Sequence, residues 1–145
     1  MPPRVTSLPA MLYVEDEEGD VLLFRLGCKR ACLLNPVHIA ANGVEAIDYL
    51  NGNGTFADRN QHPLPALVLL DLNLPKKSGF EVLSWVRQQP QFSSLPVVIY
   101  TSSVGLMDQN TARLFGATDF FVKRSGVDQI AELARILAER WLIQS

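Results

Sequence analysis

Short runs of aliphatic and β-branched residues recur along the chain, and each has the length of a β-strand. Within each run nearly every position is apolar, instead of every second one. Strands buried on both faces show this pattern, and they occur mostly in parallel sheets that helices cover on both sides. The sequence therefore predicts five buried strands, over residues 10–14, 36–41, 66–70, 95–100 and 118–122.

Longer stretches with apolar residues at helical spacing separate these runs. They predict helices over residues 18–34, 43–50, 79–88, 108–115 and 127–142. The order of strand and then helix is thus repeated five times. Such alternation predicts right-handed crossovers and a doubly wound α/β fold, a three-layer sandwich with one five-stranded parallel sheet between two layers of helices. Among doubly wound folds, we expect the flavodoxin-like type, in which the five strands of the sheet follow the order 2-1-3-4-5.

The last predicted helix is apolar around more of its circumference than one buried face requires. Residues at steps of three and four form a stripe that should pack on the sheet, namely Val127, Ile130, Ala134, Leu137 and Trp141. Leu133, Ile136 and Leu142 fall outside this stripe. A contiguous apolar surface on a helix indicates either ordinary packing or a contact with another protein. These three residues therefore predict extra core packing or a dimer surface.

Length and composition limit the organisation of the chain. With 145 residues, of which 48% are hydrophobic and 19% charged, it is expected to form one globular domain. We expect an N-terminal tail over residues 1–7, one domain over residues 8–145 and no effector domain. The polar, glycine-containing stretch 51–65 predicts a long surface loop, which is either functional or simply mobile.

Charge and hydropathy argue against several classes of function. The net charge is -2 and the 13 Lys and Arg residues are scattered, so no basic stripe is available for nucleic acid. The first residues lack the apolar segment of a signal peptide, and no run approaches the roughly 18 apolar residues that a membrane span needs. We therefore expect a cytoplasmic protein that contacts neither nucleic acid nor membrane.

The cysteines and histidines do not form a metal-binding pattern. Cys28 and Cys32 are four residues apart, but no further Cys or His stands at close ligand spacing. We predict that both are reduced, partly buried thiols in a helix. His38, within the second strand, and His62, in the long loop, are likewise predicted to be structural.

Polar side chains follow four of the predicted strands where each strand ends. Glu15 and Asp16 follow the first strand, Asp71 the third, Thr101 the fourth and Lys123 the fifth. In the predicted order these ends are neighbours at the edge where open α/β sheets bind ligands. Three carboxylates at such close range repel one another unless a cation lies between them. Their joint occurrence therefore predicts a functional site.

The carboxylates predict a weak divalent-cation site. Hard oxygen ligands that leave several positions to water suit Mg²⁺. The predicted direct ligands are Asp16, Asp71 and the backbone carbonyl of Asn73, and Glu15 is predicted to reach the ion through water.

A bound cation would free the Asp71 carboxylate to attack phosphorus, because catalysis of phosphoryl transfer is mainly positioning and charge stabilisation. The cation and Lys123 would hold the transferred oxygens, and Thr101 would offer its hydroxyl to the phosphoryl group. The added charge would draw these groups inward and move the loops that carry them.

This set of residues resembles the receiver domain of bacterial two-component response regulators over nearly the whole chain. The matching positions occur in the family's order and spacing: Glu15 and Asp16, Asp71 followed by Leu-Asn-Leu-Pro at 72–75, Thr101, the turn at Gly116 and Ala117, and Lys123. The resemblance implies Mg²⁺, phosphoryl transfer from a phosphohistidine of a sensor histidine kinase, and slow self-dephosphorylation. It also implies coupled movement of Thr101 and Phe120, in a signalling protein that catalyses only its own phosphorylation and dephosphorylation.

Part of the chain resembles a narrower group within that family. The long loop before Pro65 and the stretch 70–79 are similar to those of the small single-domain regulators that partner bacterial and cyanobacterial phytochromes. This similarity implies a phytochrome as the kinase partner and a homodimer through helix 4, strand 5 and helix 5.

One position departs from the family pattern. Lys123 is followed by Arg124, where the family usually has a proline in a cis peptide. A cis bond before any other residue costs about 3–4 kcal/mol. Either Arg124 tolerates that strain or the loop takes a trans path, and a trans path leaves the position of the Lys123 ammonium open. The main alternative function is therefore a receiver fold that acts as an interaction module without phosphorylation.

Two other functions fit the sequence less well. A dinucleotide-binding domain would need a glycine-rich turn after the first strand, where this chain has Glu15 and Asp16 followed by two more glutamates. An aspartyl phosphatase of the haloacid-dehalogenase type places a second Asp two residues after the nucleophile, and Asn73 stands there.

Overall fold

The computed structural model describes residues 8–102 and 105–143. The predicted tail, residues 1–7, lies outside the described residues. The strands are β1 (Met11–Val14), β2 (Val37–Ala40), β3 (Leu67–Leu70), β4 (Val97–Thr101) and β5 (Asp119–Val122). The helices are α1 (Glu18–Arg30), α2 (Gly43–Asn51), α3 (Gly79–Gln88), α4 (Leu106–Leu114) and α5 (Val127–Trp141). Two short 3-10 segments cover Gly54–Ala57 and Pro90–Phe92.

The five strands form one parallel sheet in the order β2-β1-β3-β4-β5, so the predicted doubly wound fold is confirmed. The three central strands are completely buried, as their continuous apolar runs predict, whereas the edge strands β2 and β5 are mostly half-buried. The register pairs Val14 with Leu70 and Thr101 with Val122. Because these residues end their strands, the segments that follow them meet at one edge of the sheet.

Each face of the sheet carries its own apolar core. On one face, α1 and α5 pack over β1, β3 and β4, and on the other face α2 and α3 cover the same strands together with Ala112 of α4. Helices α1 and α5 lie very close together, because a Cβ atom added at Gly27 would come within 2.3 Å of Ile130. This close approach fixes α1 relative to the end of β5.

The surplus apolar residues of α5 belong largely to the core of the protein. Leu133 and Leu142 are 7% and 4% exposed and pack with the α1–α5 side of the sheet. Ile136 alone of the three remains half-buried. The structure therefore favours ordinary packing for Leu133 and Leu142.

The predicted first helix is too long at its C-terminal end. It ends at Arg30, and Cys32 has a φ of 58° in the left-handed region, which a continuing helix cannot contain. As a result Cys28 is buried within α1, whereas Cys32 is exposed beyond it. The prediction of two partly buried helical thiols is wrong for Cys32.

The long stretch 51–65 is tied to helix α2. Arg59 donates hydrogen bonds to the carbonyls of Tyr49 and Leu50 at 2.8 and 2.9 Å, which satisfies carbonyl groups at the end of α2. The Tyr49 hydroxyl donates to the carbonyl of Pro63 at 2.9 Å. His38 and His62 face each other with ring centroids 6.4 Å apart, and both pack on Tyr49. These contacts agree with structural roles for the two histidines.

Within the described ranges, no helix combines the length and the apolar character that a membrane crossing requires.

Candidate functional site

Three carboxylates meet at the carboxyl edge of the sheet, as the sequence predicts. Glu15 directly follows β1, Asp71 directly follows β3, and the backbone N–H of Asp71 donates to the carbonyl of Val14 at 3.2 Å. One carboxylate oxygen from each of Glu15, Asp16 and Asp71 lies within 4.8 Å of the others. Glu15 and Asp71 are 1% and 4% exposed, whereas Asp16 is exposed to solvent. The edge therefore gathers negative charge in a largely buried place.

The ammonium group of Lys123 reaches into this group of carboxylates. The residue follows β5, and its backbone N–H donates to the carbonyl of Thr101 at 2.8 Å. Its Nζ lies 2.8 Å from Oδ2 of Asp71 and also contacts Oε1 of Glu15. The peptide bond that joins Lys123 to Arg124 is trans, since no cis bond occurs among the described residues. A trans path therefore still delivers the ammonium to Asp71.

Lys123 has a third carboxylate partner that the sequence reasoning missed. Oδ2 of Asp20 lies 2.7 Å from the ammonium nitrogen. Asp20 is the third residue of α1 and stands four positions after Asp16. Helical side chains tilt toward the N-terminus of their helix, so a residue in the first turn of α1 points back to the sheet edge. Its position in the first turn is the signal that could have identified it.

The carboxylate of Glu15 is fixed by several donors. Its Oε2 accepts the backbone N–H groups of Asp16 and Glu17, each at 3.1 Å, and its Oε1 accepts the hydroxyl of Tyr13 at 3.2 Å. Burial raises the pKa of Glu15 to about 7, and the nearby Asp71 carboxylate adds to this, while the bond from Lys123 opposes it. A buried carboxylate with a raised pKa is one that a cation would stabilise.

The charge balance of the site favours a divalent cation. Burial alone would lower the pKa of Lys123, but its hydrogen bonds to Asp20, Asp71 and Glu15 outweigh that effect, so the pKa is raised and the amine stays charged. When Glu15 is ionised, it carries with Asp16, Asp20 and Asp71 four negative charges against one ammonium, an excess of three. Oxygen ligands with an excess of negative charge suit a hard divalent cation. Glu15, Asp16 and Asp71 therefore fit a metal site.

The second oxygen of Asp71 is oriented by the turn that follows β3. Oδ1 accepts the backbone N–H of Asn73 at 3.1 Å, and Asn73 itself is exposed at the mouth of the site. The N–H of Gly79, the first residue of α3, donates to the carbonyl of Leu72 at 3.0 Å. The segment between β3 and α3 is thus closed back on Asp71.

Thr101 and Phe120 lie on the same face of the sheet. Thr101 ends β4 and is 0% exposed, two residues after Ile99, whose partner in the adjacent strand β5 is Phe120. Side chains two apart on a strand share a face, so both residues belong to the side that α2, α3 and α4 cover. Phe120 is half-buried there, next to a cavity that α4 residues Gln109, Ala112 and Arg113 also line.

Comparison with known proteins agrees with this geometry. The family described as response regulator receiver domain matches residues 11–135. The chain is 30% identical over 141 residues to the response regulator Rcp1 of Synechocystis, an alignment that covers 97% of this chain and 90% of Rcp1.

Solved structures of similar proteins superimpose over almost the whole chain. The Mn²⁺-bound form of Rcp1 matches with a TM-score of 0.79 and 28% identity, covering 94% of this chain and 96% of that one. The phosphorylated cyanobacterial phytochrome response regulator RcpA matches with a TM-score of 0.84 and 28% identity, covering 96% of this chain and 97% of that one. This chain belongs to the family of response regulator receiver domains of two-component systems.

Proposed function

We propose that this protein is a response regulator receiver that accepts a phosphoryl group on Asp71 from the phosphohistidine of a sensor histidine kinase, in a reaction that depends on Mg²⁺. The observation that carries the proposal is the position of Asp71, which is buried beside the Lys123 ammonium and oriented on both carboxylate oxygens. A carboxylate held in this way is arranged for attack on phosphorus, because phosphoryl transfer depends mainly on positioning and charge stabilisation.

The proposed transfer uses the residues of the sheet edge. Asp71 forms a bond from one carboxylate oxygen to phosphorus as the bond between phosphorus and the histidine nitrogen of the kinase breaks, and that nitrogen retains the electron pair. Asp16, Asp71 and the backbone carbonyl of Asn73 would hold Mg²⁺, with Glu15 acting through water. The ion, when bound, supplies positive charge to the phosphoryl oxygens. Lys123 would supply a second positive charge to the phosphoryl oxygens, and release of the phosphoryl group to water would reset the site.

The proposed switch couples Thr101 to Phe120. A phosphoryl group on Asp71 brings strong acceptor oxygens to the end of β4, where the hydroxyl of Thr101 would donate to them. A shift of Thr101 toward the site would leave space on the face that Phe120 shares, so the ring could turn inward. The surface of α4, β5 and α5 would then differ between the two states and change its protein contacts.

We propose two partners, a sensor kinase and a second copy of this chain. The similarity to a phytochrome response regulator supports a phytochrome-type kinase as the source of the phosphoryl group. The same resemblance motivates a homodimer through α4, β5 and α5, in which Leu133 and Leu142 take little part because they are already covered within one chain. Light scattering with and without a phosphodonor tests whether the dimer forms and whether it depends on the switch.

The competing hypothesis is an interaction module that is never phosphorylated. The departure at Arg124 motivates it, but the contact between Lys123 and Asp71 argues against it. Incubation with acetyl phosphate and Mg²⁺, followed by intact mass measurement, separates the two functions. We expect a mass gain of one phosphoryl group that requires Mg²⁺, is absent from Asp71→Asn and persists in Asp58→Asn, a control in the loop after α2. An unmodified wild-type mass at saturating donor would favour the interaction module.

A further inference from the structure

Asp20 was not among the predicted functional residues, yet it contacts the Lys123 ammonium within the site. Its distance to the ammonium nitrogen of Lys123, 2.7 Å, matches the 2.8 Å from Asp71 to the same nitrogen. We propose that Asp20 is a positioning residue that holds the Lys123 ammonium on the α1 side of the site, so that Asp71 can bind a divalent cation and Glu15 can bind a water of that cation.

The need for such a residue follows from competition within the site. An ammonium group has three donors, and here they serve Glu15, Asp20 and Asp71. Glu15 and Asp71 also belong to the group of carboxylates that fits a metal ion. Lys123 and a cation therefore compete for the oxygens of these two residues. Asp20 is the partner of Lys123 that lies outside that group.

The surroundings of Asp20 suit it to keep the ammonium when the other carboxylates bind a cation. The side chain of Asp20 is 38% exposed, whereas those of Glu15 and Asp71 are 0% and 6% exposed, so its charge remains hydrated. A small cavity lies on this side of Lys123, lined by Tyr13, Asp20, Leu23, Tyr100, Lys123, Arg124 and Ile130. An ammonium displaced from Glu15 by a cation thus keeps a hydrated carboxylate as its partner.

Replacement of Asp20 by asparagine tests the inference through cation binding alone. Mn²⁺ is titrated into the metal-free protein, and free Mn²⁺ is followed by electron paramagnetic resonance. We expect Asp20→Asn to weaken Mn²⁺ binding about tenfold, the scale on which outer partners of metal ligands act. Glu18→Gln is the matched control, since it removes one negative charge from the same helical turn. It should weaken binding by less than about twofold, because exposed charges are screened by solvent and salt.

A double-mutant cycle separates positioning from loss of charge. In a Lys123→Met background the ammonium is gone, so Asp20→Asn should then weaken Mn²⁺ binding no more than Glu18→Gln does. Asp20→Glu should recover part of the lost affinity, since its carboxylate still reaches a flexible lysine. The inference is overturned if Asp20→Asn matches Glu18→Gln in the wild-type background. It is equally overturned if Asp20→Asn has the same effect with and without Lys123.

The inference rests on the proposed cation site, and its failure is distinguishable from failure of the proposed phosphorylation. Suppose that the wild-type protein gains a phosphoryl group but that Asp20 and Lys123 show no coupling in Mn²⁺ binding. This result would overturn the inference about Asp20 and leave the proposed phosphorylation intact. Conversely, Asp20 and Lys123 could be coupled in Mn²⁺ binding while acetyl phosphate leaves the protein unmodified. This result would support the inference about Asp20 and contradict the proposed phosphorylation. Thermal unfolding of each variant confirms that the compared proteins are folded.

Discussion

The backbone of Gly79 packs directly against the carbonyl group of Asp71. A Cβ atom at Gly79 would lie 2.3 Å from that carbonyl oxygen and 2.6 Å from Cα of Leu72, and both of these atoms are backbone and cannot rotate away. The start of α3 therefore sets the position of the residue that we propose as the phosphoryl acceptor. Helix α3 and the carboxylate site are coupled through this contact.

Replacement of Gly79 by alanine is expected to damage both stability and the site. The added methyl group forces the backbone of Asp71 to shift, and overpacking of this kind costs about 1–3 kcal/mol. Urea unfolding should show the loss of stability, and phosphorylation by acetyl phosphate should slow in the folded fraction. Gly19→Ala is the control, because a Cβ atom there meets nothing within 4 Å. Equal stability of the two variants would contradict the proposed coupling.

Replacement of Lys123 by glutamine is expected to destabilise the metal-free protein. The change leaves the buried carboxylates of Glu15 and Asp71 without their cation, and breaking a buried ion pair by removing one partner costs about 3 kcal/mol or more. Mg²⁺ should restore part of the lost stability, because it supplies the missing positive charge. Denaturant midpoints in chelator and in Mg²⁺ measure both effects.

The control for that experiment is Lys77→Gln, which removes a charge from an exposed pair with Glu81 at 3.8 Å. Exposed pairs of this kind contribute about 0–1 kcal/mol. Two outcomes would contradict the role of Lys123 in neutralising the site. In one, Lys123→Gln is no less stable than Lys77→Gln. In the other, Mg²⁺ does not stabilise Lys123→Gln.

The stability of the metal-free protein is expected to fall as the pH rises toward neutrality. Glu15 has a pKa of about 7 in the folded protein against an ordinary value of 4.5, because its side chain is buried. Between those two values the folded state binds more protons than the unfolded state, so unfolding becomes easier as the pH rises, with a slope of at most about 1.4 kcal/mol per pH unit.

Comparison with Glu15→Gln isolates this contribution. Burial lowers the pKa of His38, which gives the opposite slope at acidic pH, but that slope is present in both proteins and cancels in their difference. We therefore compare the urea midpoints of the wild type and of Glu15→Gln, measured in chelator from about pH 5 to pH 8. The two midpoints should be similar at low pH and differ increasingly at high pH. Parallel curves would mean that Glu15 titrates normally.

The two cysteines are expected to differ in reactivity toward thiol reagents. Burial in α1 raises the pKa of Cys28 to about 11, whereas Cys32 is exposed just after the helix. Since the thiolate is the reactive form, Cys32 should react rapidly with a disulfide reagent and Cys28 only as the protein opens. The absorbance of the thiol released from the reagent should rise in one fast phase, and Cys32→Ser should remove that phase. Two fast phases would contradict the burial of Cys28.

The sheet was predictable because its strands carry their own signal. Each apolar run became a strand within two residues of the predicted bounds, and the alternation with helices predicted the doubly wound class, for which 2-1-3-4-5 is one of the common strand orders. The end of α1 was not predictable from periodicity, since residues 31–34 continue an apolar pattern beyond the left-handed Cys32. That helix ends because of a backbone conformation that the side-chain pattern does not reveal.

The carboxylate edge of the site was also readable from the sequence. Glu15, Asp16 and Asp71 follow strands whose ends must meet in a parallel sheet, and the structure brings their oxygens together. Asp20 was not identified, because a carboxylate in the first turn of a helix is explained equally well by the favourable charge interaction with the helix dipole. Its contact with Lys123 depends on how close α1 lies to the end of β5.

By itself the sequence determined the layers and the segments that follow the strands at one edge of the sheet, because these depend on local periodicity and on the connectivity of parallel strands. Only the tertiary structure decided which charges pair. Lys123 joins Asp71, Asp20 and Glu15 across 52, 103 and 108 positions of the chain. Contacts over such separations are fixed by strand register and by the close packing of α1 on α5, and no local pattern encodes a distance of 2.7 Å.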